Sequence, residues 1–250
     1  MEVVEADFRY SPNDPLLFDK INFGIDMDSR ICIAGLNGSG KSTLLKLLTG
    51  QVQPTHGEVK RNPRLCMGVY NQHFVDILPL HKTPVEFLRD MHREENYQSV
   101  CRILGTFGLE RHAHEIAMRD LSGGQKARVA FANLTLLGPH LLLLDEPTNS
   151  LDMETIDALV DAIREFNGGI VLVTHDQRLI DACGCALWVV ENRGVARWDA
   201  SFEDYKNMLL DRMEEAVRKE DEKRREKQAA KAAARAERLA SLGSRRRQTG

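Results

Sequence analysis

Residues 35–43 read Gly35-Leu36-Asn37-Gly38-Ser39-Gly40-Lys41-Ser42-Thr43, which fits G-x-x-x-x-G-K-[ST]. The chemistry of such a run is the grip of a polyphosphate. Its glycines let the backbone curl so that successive N–H groups point inward at phosphate oxygens. Lys41 can reach the β- and γ-phosphates, and the Ser42 hydroxyl is a hard oxygen ligand suited to Mg²⁺. All nine residues, Gly35 to Thr43, are therefore candidate nucleotide contacts. A second group of reactive residues stands at Leu141-Leu142-Leu143-Leu144-Asp145-Glu146. Here two carboxylates follow four apolar residues and precede Pro147. Asp145 can complete the Mg²⁺ sphere, and Glu146 can orient and deprotonate a water. Lysine, hydroxyl and carboxylates at these spacings read together as a P-loop nucleoside triphosphatase.

These groups must be held by elements that end at one place. Arg30-Ile31-Cys32-Ile33-Ala34 reads as a buried strand leading into the glycine run, and Lys41 to Leu48 as an amphipathic helix leaving it, with Leu44, Leu45, Leu47 and Leu48 on its inner side. Leu141–Leu144 and Ile170–Val173 are two further buried strands. From residue 1 to about 205, strand and helix patterns alternate, which predicts an α/β fold with a mostly parallel sheet. Ligands in such sheets sit at the carboxyl ends of the strands, and Asp145 and Glu146 emerge there. Between roughly Thr83 and Arg119 the pattern is helical and more polar, within an insert placed at about 76–135.

The residues between and beyond these two groups narrow the class. Leu121-Ser122-Gly123-Gly124-Gln125 precedes the acidic strand by about twenty residues and opens a helical pattern, Lys126-Ala127-Arg128-Val129-Ala130-Phe131. It resembles the LSGGQ signature of the ATP-binding cassette (ABC) superfamily, without substitution. Other matches occur in family order. Tyr10 resembles the aromatic A-loop residue, Gln72 the Q-loop, Ser150-Leu151-Asp152 the D-loop, and His175 the switch histidine. The resemblance implies an ABC-type ATPase core with an antiparallel β subdomain and a small helical subdomain. It implies ATP and Mg²⁺ as ligands, with Ser42, Gln72 and Asp145 about the metal. Tyr10 offers adenine a flat face, with Phe8 as the competing stacker. Glu146, His175, Gln72 and Lys41 become the catalytic set. Ser122, Gly123, Gly124 and Gln125 would cover the γ-phosphate of an opposite cassette, their N–H groups exposed at a helix N-terminus. Asp152 would lie at the shared interface. One chain then holds two half-sites, and a second cassette is the required partner.

Within the superfamily the chain is most similar to the ABC-F family, twin-cassette proteins of translation, and to the C-terminal cassette of eukaryotic members. The similarity is densest in Met27-Asp28-Ser29-Arg30, Lys41 to Gly50, Arg61-Asn62-Pro63-Arg64, Gly123 to Ala130 and Thr155-Ile156-Asp157-Ala158-Leu159. The family usually reads N-H-L-D at the D-loop, where this chain has Asn149-Ser150-Leu151-Asp152. The alternatives are a nucleotide-binding subunit of a membrane ABC transporter and an ATP-gated interaction module with little turnover.

Composition sets the outer bounds. The 250 residues are 42% hydrophobic with a net charge of −3, which suits a globular core and excludes a polycation. No apolar run approaches the ~20 residues that span a bilayer, and the N-terminus lacks a secretory pattern. Any membrane role would need a partner. Five cysteines, Cys32, Cys66, Cys101, Cys183 and Cys185, form no disulfide framework and predict reduced thiols in the cytoplasm. Cys183-Gly184-Cys185 lacks a second ligand pair for zinc. Residues 206–240 lack Gly and Pro and favour helix, so 206–250 reads as a charged, helical, partly disordered tail. Residues 223–250 carry ten Lys or Arg against two Glu, a charge of +8 that leaves −11 on the rest. Such a tail suits a solvated helix or a polyanion, ribosomal RNA being the candidate.

Overall fold

The computed structural model describes residues 1–71, 78–149, 151–215, 218 and 219. It divides into two compact units, Met1–Asp199 and Ala200–Gly250, and every motif named above belongs to the first. In the second unit residues 202–215 are helical. The basic run 223–250 lies outside the described residues, as do Gln72 and Ser150.

Among the described residues of the first unit, nine strands form two sheets. β1 (Glu2–Phe8), β2 (Phe18–Gly24) and β4 (His56–Lys60) make an antiparallel sheet in the order β2-β1-β4. The larger sheet runs β5 (Met67–Tyr70), β6 (Leu141–Asp145), β7 (Gly169–Val173), β3 (Arg30–Ala34), β8 (Ala186–Glu191), β9 (Gly194–Trp198). Its first five strands are parallel and β9 returns antiparallel to β8. The expected α/β core, with its antiparallel part, is thus present.

Strand order is what assembles the site. β7 lies between β6 and β3, with Asp145 opposite Val173 and Ile33 opposite Val173. The carboxyl ends of three strands therefore stand side by side, and the glycine turn, Glu146 and His175 all leave from that edge. The strands are apolar throughout because both faces are covered. Leu141, Leu143, Val171 and Val173 face one core, shared with Ile31, Ile33, Phe18 and the leucines of α1 (Lys41–Thr49). Leu142, Leu144, Ile170 and Leu172 face the other. That second core is closed by α4 (Gly123–Leu137) and α5 (Met153–Glu165), with Val129, Phe131, Leu159 and Ile163. Each leucine so buried stabilises the fold by about 1.5–3 kcal/mol, enough for β6 alone to anchor the two acids behind it.

Among the described residues, the stretch expected as a helical insert contains α2 (Pro84–Met91), α3 (Tyr97–Thr106) and two 3-10 turns, Arg111–Glu115 and Met118–Asp120. Its polar sequence still starts helices cleanly. Thr83 and Glu86 form a reciprocal capping box ahead of Pro84, and Asn96 accepts from Ser99 N–H. Leu88, Val100 and Leu104 turn its apolar side into the second core. A further helix, α6 (Gln177–Cys183), connects the loop after β7 to β8.

Candidate functional site

The turn after β3 is shaped by its neighbours. Gly40 has φ 109°, and a Cβ there would stand 2.9 Å from Phe18 Cζ. Only glycine meets both conditions, so the buried Phe18 of β2 dictates the turn that opens α1. No side chain caps α1 at that end, which leaves the positive helix N-terminus to an anion. Lys41 Nζ donates to Gly35 O at 2.9 Å and Leu36 O at 3.2 Å. Burial pulls its ammonium below the ordinary lysine value, while Glu146 and Asp145 act the other way. A half-buried cation against two carbonyls, facing two acids, is suited to a bound triphosphate.

The far end of α1 is held by a residue that the motifs do not reveal. Arg61 donates from Nε to Leu48 O at 2.9 Å and from Nη2 to Leu47 O at 2.5 Å. A guanidinium on the last carbonyls opposes the negative helix end. Arg61 lies in a segment read as family-like, but its contact depends on β4 returning past α1.

Behind the turn, Asp145 is half-buried and its carboxyl lies above the usual range. Burial is the main cause, opposed by a hydrogen bond from Ser42 and by Lys41 and Lys46. Hydroxyl and carboxylate thus meet at one point, and both are hard oxygen donors that fit Mg²⁺. Among the described residues no group of three or more His, Cys, Asp or Glu stands together for a metal.

Glu146 adopts φ 49° while its N–H donates to Val173 O at 2.8 Å. A non-glycine residue in the left-handed region stores strain of about 1–3 kcal/mol and is found disproportionately at functional sites. His175 Nε2 lies 3.3 Å from Glu146 Oε1. Burial raises the Glu146 carboxyl above its ordinary range, with His175 pulling it down and Asp145 pushing it up. A carboxylate held between an imidazole and a lysine, with restricted hydration, is equipped to orient and deprotonate water.

Tyr10 and Phe8 separate clearly. Phe8 is 4% exposed and belongs to the core, whereas Tyr10 is 60% exposed. The rings meet edge to face at 5.0 Å, and Tyr10 Oη shares a 2.8 Å hydrogen bond with Thr43 Oγ1. The exposed ring is thereby braced from below and tied to α1. Tyr10, Asn37, Gly38, Gly40, Lys41, Ser42, Thr43, Asp145 and Glu146 line one open cleft of about 690 Å³. This volume is ample for a nucleotide, since ligand pockets commonly hold about 300–1,000 Å³.

The signature residues stand apart. Ser122, Gly123, Gly124 and Gln125 do not line that cleft. They open α4, where Ser122 Oγ accepts from Gln125 N–H at 3.2 Å and Gln125 Oε1 accepts from Ser122 N–H at 2.9 Å. This capping box engages the Gln125 amide oxygen and leaves the Ser122 hydroxyl proton to donate elsewhere. Asp152 is likewise a helix cap, accepting from Thr155 N–H at 2.8 Å ahead of α5. The chain therefore brings Tyr10, the glycine turn, Asp145, Glu146 and His175 together, and holds Ser122 to Gln125 and Asp152 outside the cleft.

This geometry defines a P-loop ATPase cassette. The chain belongs to the ABC transporter family, whose pattern matches residues 18–149. Curated relatives place it beside the F group. It is 46% identical to ABC transporter F family member 4 of Arabidopsis thaliana, over 84% of this chain and 30% of that protein. It is 48% identical to the ABC transporter ATP-binding protein ARB1 of Saccharomyces cerevisiae, over 82% and 34%, and 42% identical to ATP-binding cassette sub-family F member 2 of Mus musculus, over 84% and 34%. The chain spans about a third of the length of these relatives. Its fold is similar to a dimeric post-hydrolysis ATP-binding cassette bound to ADP and Pi, with TM-score 0.63 and 24% identity over 78% of this chain and 95% of that one. A second solved structure, the ATP-binding subunit of an ABC transporter, gives TM-score 0.67 and 24% identity over 83% and 92%. Among the described residues no helix is long and apolar enough to cross a membrane.

Proposed function

We propose that this chain binds Mg-ATP in the cleft and hydrolyses it when a second cassette closes over the nucleotide, as one half of a twin-cassette machine of the ABC-F type. One observation carries the reading. Lys41, Ser42, Asp145 and Glu146 converge on a single cleft that the signature residues do not line. A helix N-terminus suited to anions that takes no part in its own cleft supports completion of each site by the opposite chain.

Within the cleft the α1 N-terminus and Lys41 bind the triphosphate, and Tyr10 holds the adenine plane. Glu146, steadied by His175, takes the proton of the attacking water. Ser42 and Asp145 would hold Mg²⁺, joined by Gln72 on family resemblance, and the ion supplies charge neutralisation of the phosphate oxygens. Ser122 and Gly124 donate to the opposite γ-phosphate, so ATP joins two cassettes and hydrolysis releases them.

The ABC-F similarity and the +8 run at 223–250 support ribosomal RNA as the polyanion engaged, and with it a cytoplasmic setting. Truncation at residue 222 should then flatten the salt dependence of ribosome co-sedimentation; a profile identical to that of the full chain would remove the tail from this role.

The catalytic reading is tested by two variants. Lys41→Ala should weaken ATP binding by about tenfold to a hundredfold for each charge-assisted bond lost, at roughly 1.5–3 kcal/mol apiece. Glu146→Gln should slow phosphate release by about 10²–10⁴ while ATP still drives pairing in gel filtration. Undiminished release in Glu146→Gln would show that another group takes the proton.

A further inference from the structure

Arg128 lies on α4, one turn beyond the signature, and its side chain is only 10% exposed. It joins three segments. Nε donates to Thr155 Oγ1 at 2.7 Å, Nη2 to Asp152 Oδ1 at 3.0 Å, and Nη1 to the Gly108 carbonyl after α3. Glu154 Oε2 lies 3.6 Å from Nη2. Thr155 closes the set by donating from its hydroxyl to Asp152 Oδ1 at 2.7 Å, so the single hydroxyl both accepts and donates. The other oxygen of that carboxylate occupies the space a side chain would need at Gly124, where a Cβ would lie 2.9 Å from Asp152 Oδ2. Gly123, by contrast, meets nothing within 4 Å. The signature glycine and the Asp152 loop are therefore in contact, and one buried guanidinium holds the carboxylate that makes the contact.

We infer that Arg128 is a positioning residue that locks the Asp152 loop and the signature loop of one chain into a single rigid surface, against which the opposite cassette closes. The inference rests on the proposed two-cassette reading for its functional consequence, and on the network alone for its mechanical part. Arginine suits the task because its planar fork reaches three acceptors at once, where lysine offers a point charge. A carboxylate left without its cation keeps only its bonds from Thr155 and loses the tie to α4 that fixes its distance from Gly124. The two loops then move independently, and the donors of Ser122 and Gly124 no longer meet a phosphate in one geometry. Arg128 does not line the nucleotide cleft, so the chain's own grip on ATP is unaffected.

The test compares wild type with Arg128→Met, Arg128→Lys, Asp152→Ala and the double variant Arg128→Met/Asp152→Ala. Amide exchange is read over 122–126 and 151–156, together with affinity for a fluorescent ATP analogue and ATP turnover. Arg128→Met should speed exchange in both loops by about tenfold or more. Turnover should fall by about tenfold to a hundredfold, with analogue affinity within about twofold of wild type. Arg128→Lys should recover part of the protection, and the double variant should be no worse than Arg128→Met. Exchange over 122–126 that is unchanged in both Arg128→Met and Asp152→Ala overturns the inference, as does full additivity of the two changes. Should Arg128→Met fail to fold, Asp152→Ala, which removes a half-exposed helix cap and leaves the arginine in place, decides the exchange arm. A wild type that neither pairs nor turns over ATP refutes the two-cassette reading, while exchange still decides the lock.

Discussion

Single atoms set the nucleotide cleft. Gly40 is required twice, by its backbone at φ 109° and by Phe18 Cζ beneath it. Gly40→Ala should therefore reduce ATP affinity together with melting temperature, because relief of the clash must move either the turn or the β2 aromatic. A variant with wild-type affinity would show that the turn has slack the packing does not suggest. At Tyr10 the ring and the hydroxyl separate in function. Tyr10→Phe keeps the stacking face and loses only the bond to Thr43 Oγ1, which is worth about 0.5–1.5 kcal/mol. Tyr10→Ala removes the face as well. Nucleotide binding should fall slightly in the first and clearly in the second, and equal losses would assign the effect to the bond with Thr43 rather than to stacking on adenine. Tyr10 as a candidate was legible from its aromatic type and its distance ahead of the glycine turn. Its rank over Phe8 was not, since Phe8 ends β1 on the core side while Tyr10 lies beyond the strand, where the chain has left the sheet and its ring is exposed.

Element ends decide how firmly these atoms are held. Both loops outside the cleft are helix caps: Ser122 with Gln125 for α4, and Asp152 for α5. Asp152→Ala should cost about 0.5–2 kcal/mol of stability, the usual loss for an N-cap. Its pH dependence has a definite sign. Hydrogen bonds from the Thr155 side chain and backbone, and then from Arg128, lower the Asp152 pKa below the ordinary carboxylate value. A depressed pKa contributes stability that is present above the unfolded value of about 3.9 and lost as pH falls through the folded one. The melting-temperature gap between wild type and Asp152→Ala should therefore narrow as pH falls below about 4, and a gap that does not shrink at all on acidification would exclude the charged cap. Arg61 acts at the opposite end of α1. Arg61→Met should destabilise the chain and loosen ATP binding in proportion, since the P-loop helix loses its C-terminal partner. That role was not readable locally: an arginine flanked by Lys60 and Asn62 becomes a cap only because β4 pairs with β1 and returns the chain beside α1.

At the scale of the whole molecule the prediction concerns completeness. If each site borrows its signature from the opposite chain, two damaged chains can repair one another. Lys41→Ala removes the phosphate grip and keeps a sound signature, whereas Gly124→Asp does the reverse and also crowds Asp152. Each should be inactive alone, and an equimolar mixture should regain turnover, because one of its two composite sites is intact. A mixture as inactive as its components would mean that each site is completed within one chain.

Local residue order determined the chemistry in this protein. The glycine run, the paired acids after four leucines and the exact signature pentad could be read without coordinates, because each depends on neighbours within a few residues and on strand or helix periods that apolar spacing reveals. The same held for β3, α1, β6 and β7, whose bounds follow the apolar runs to within a residue. Tertiary structure alone decided the rest: that β7 intervenes between β6 and β3, that Phe18 fixes the turn from another sheet, that Arg61 closes α1, and that Arg128 binds Asp152 beside Gly124. Those contacts join residues that lie far apart along the chain or in separate elements. Their existence depends on strand order and on helix packing against both faces of the sheet, which are properties of the folded core as a whole and leave no periodic trace in any short window of sequence.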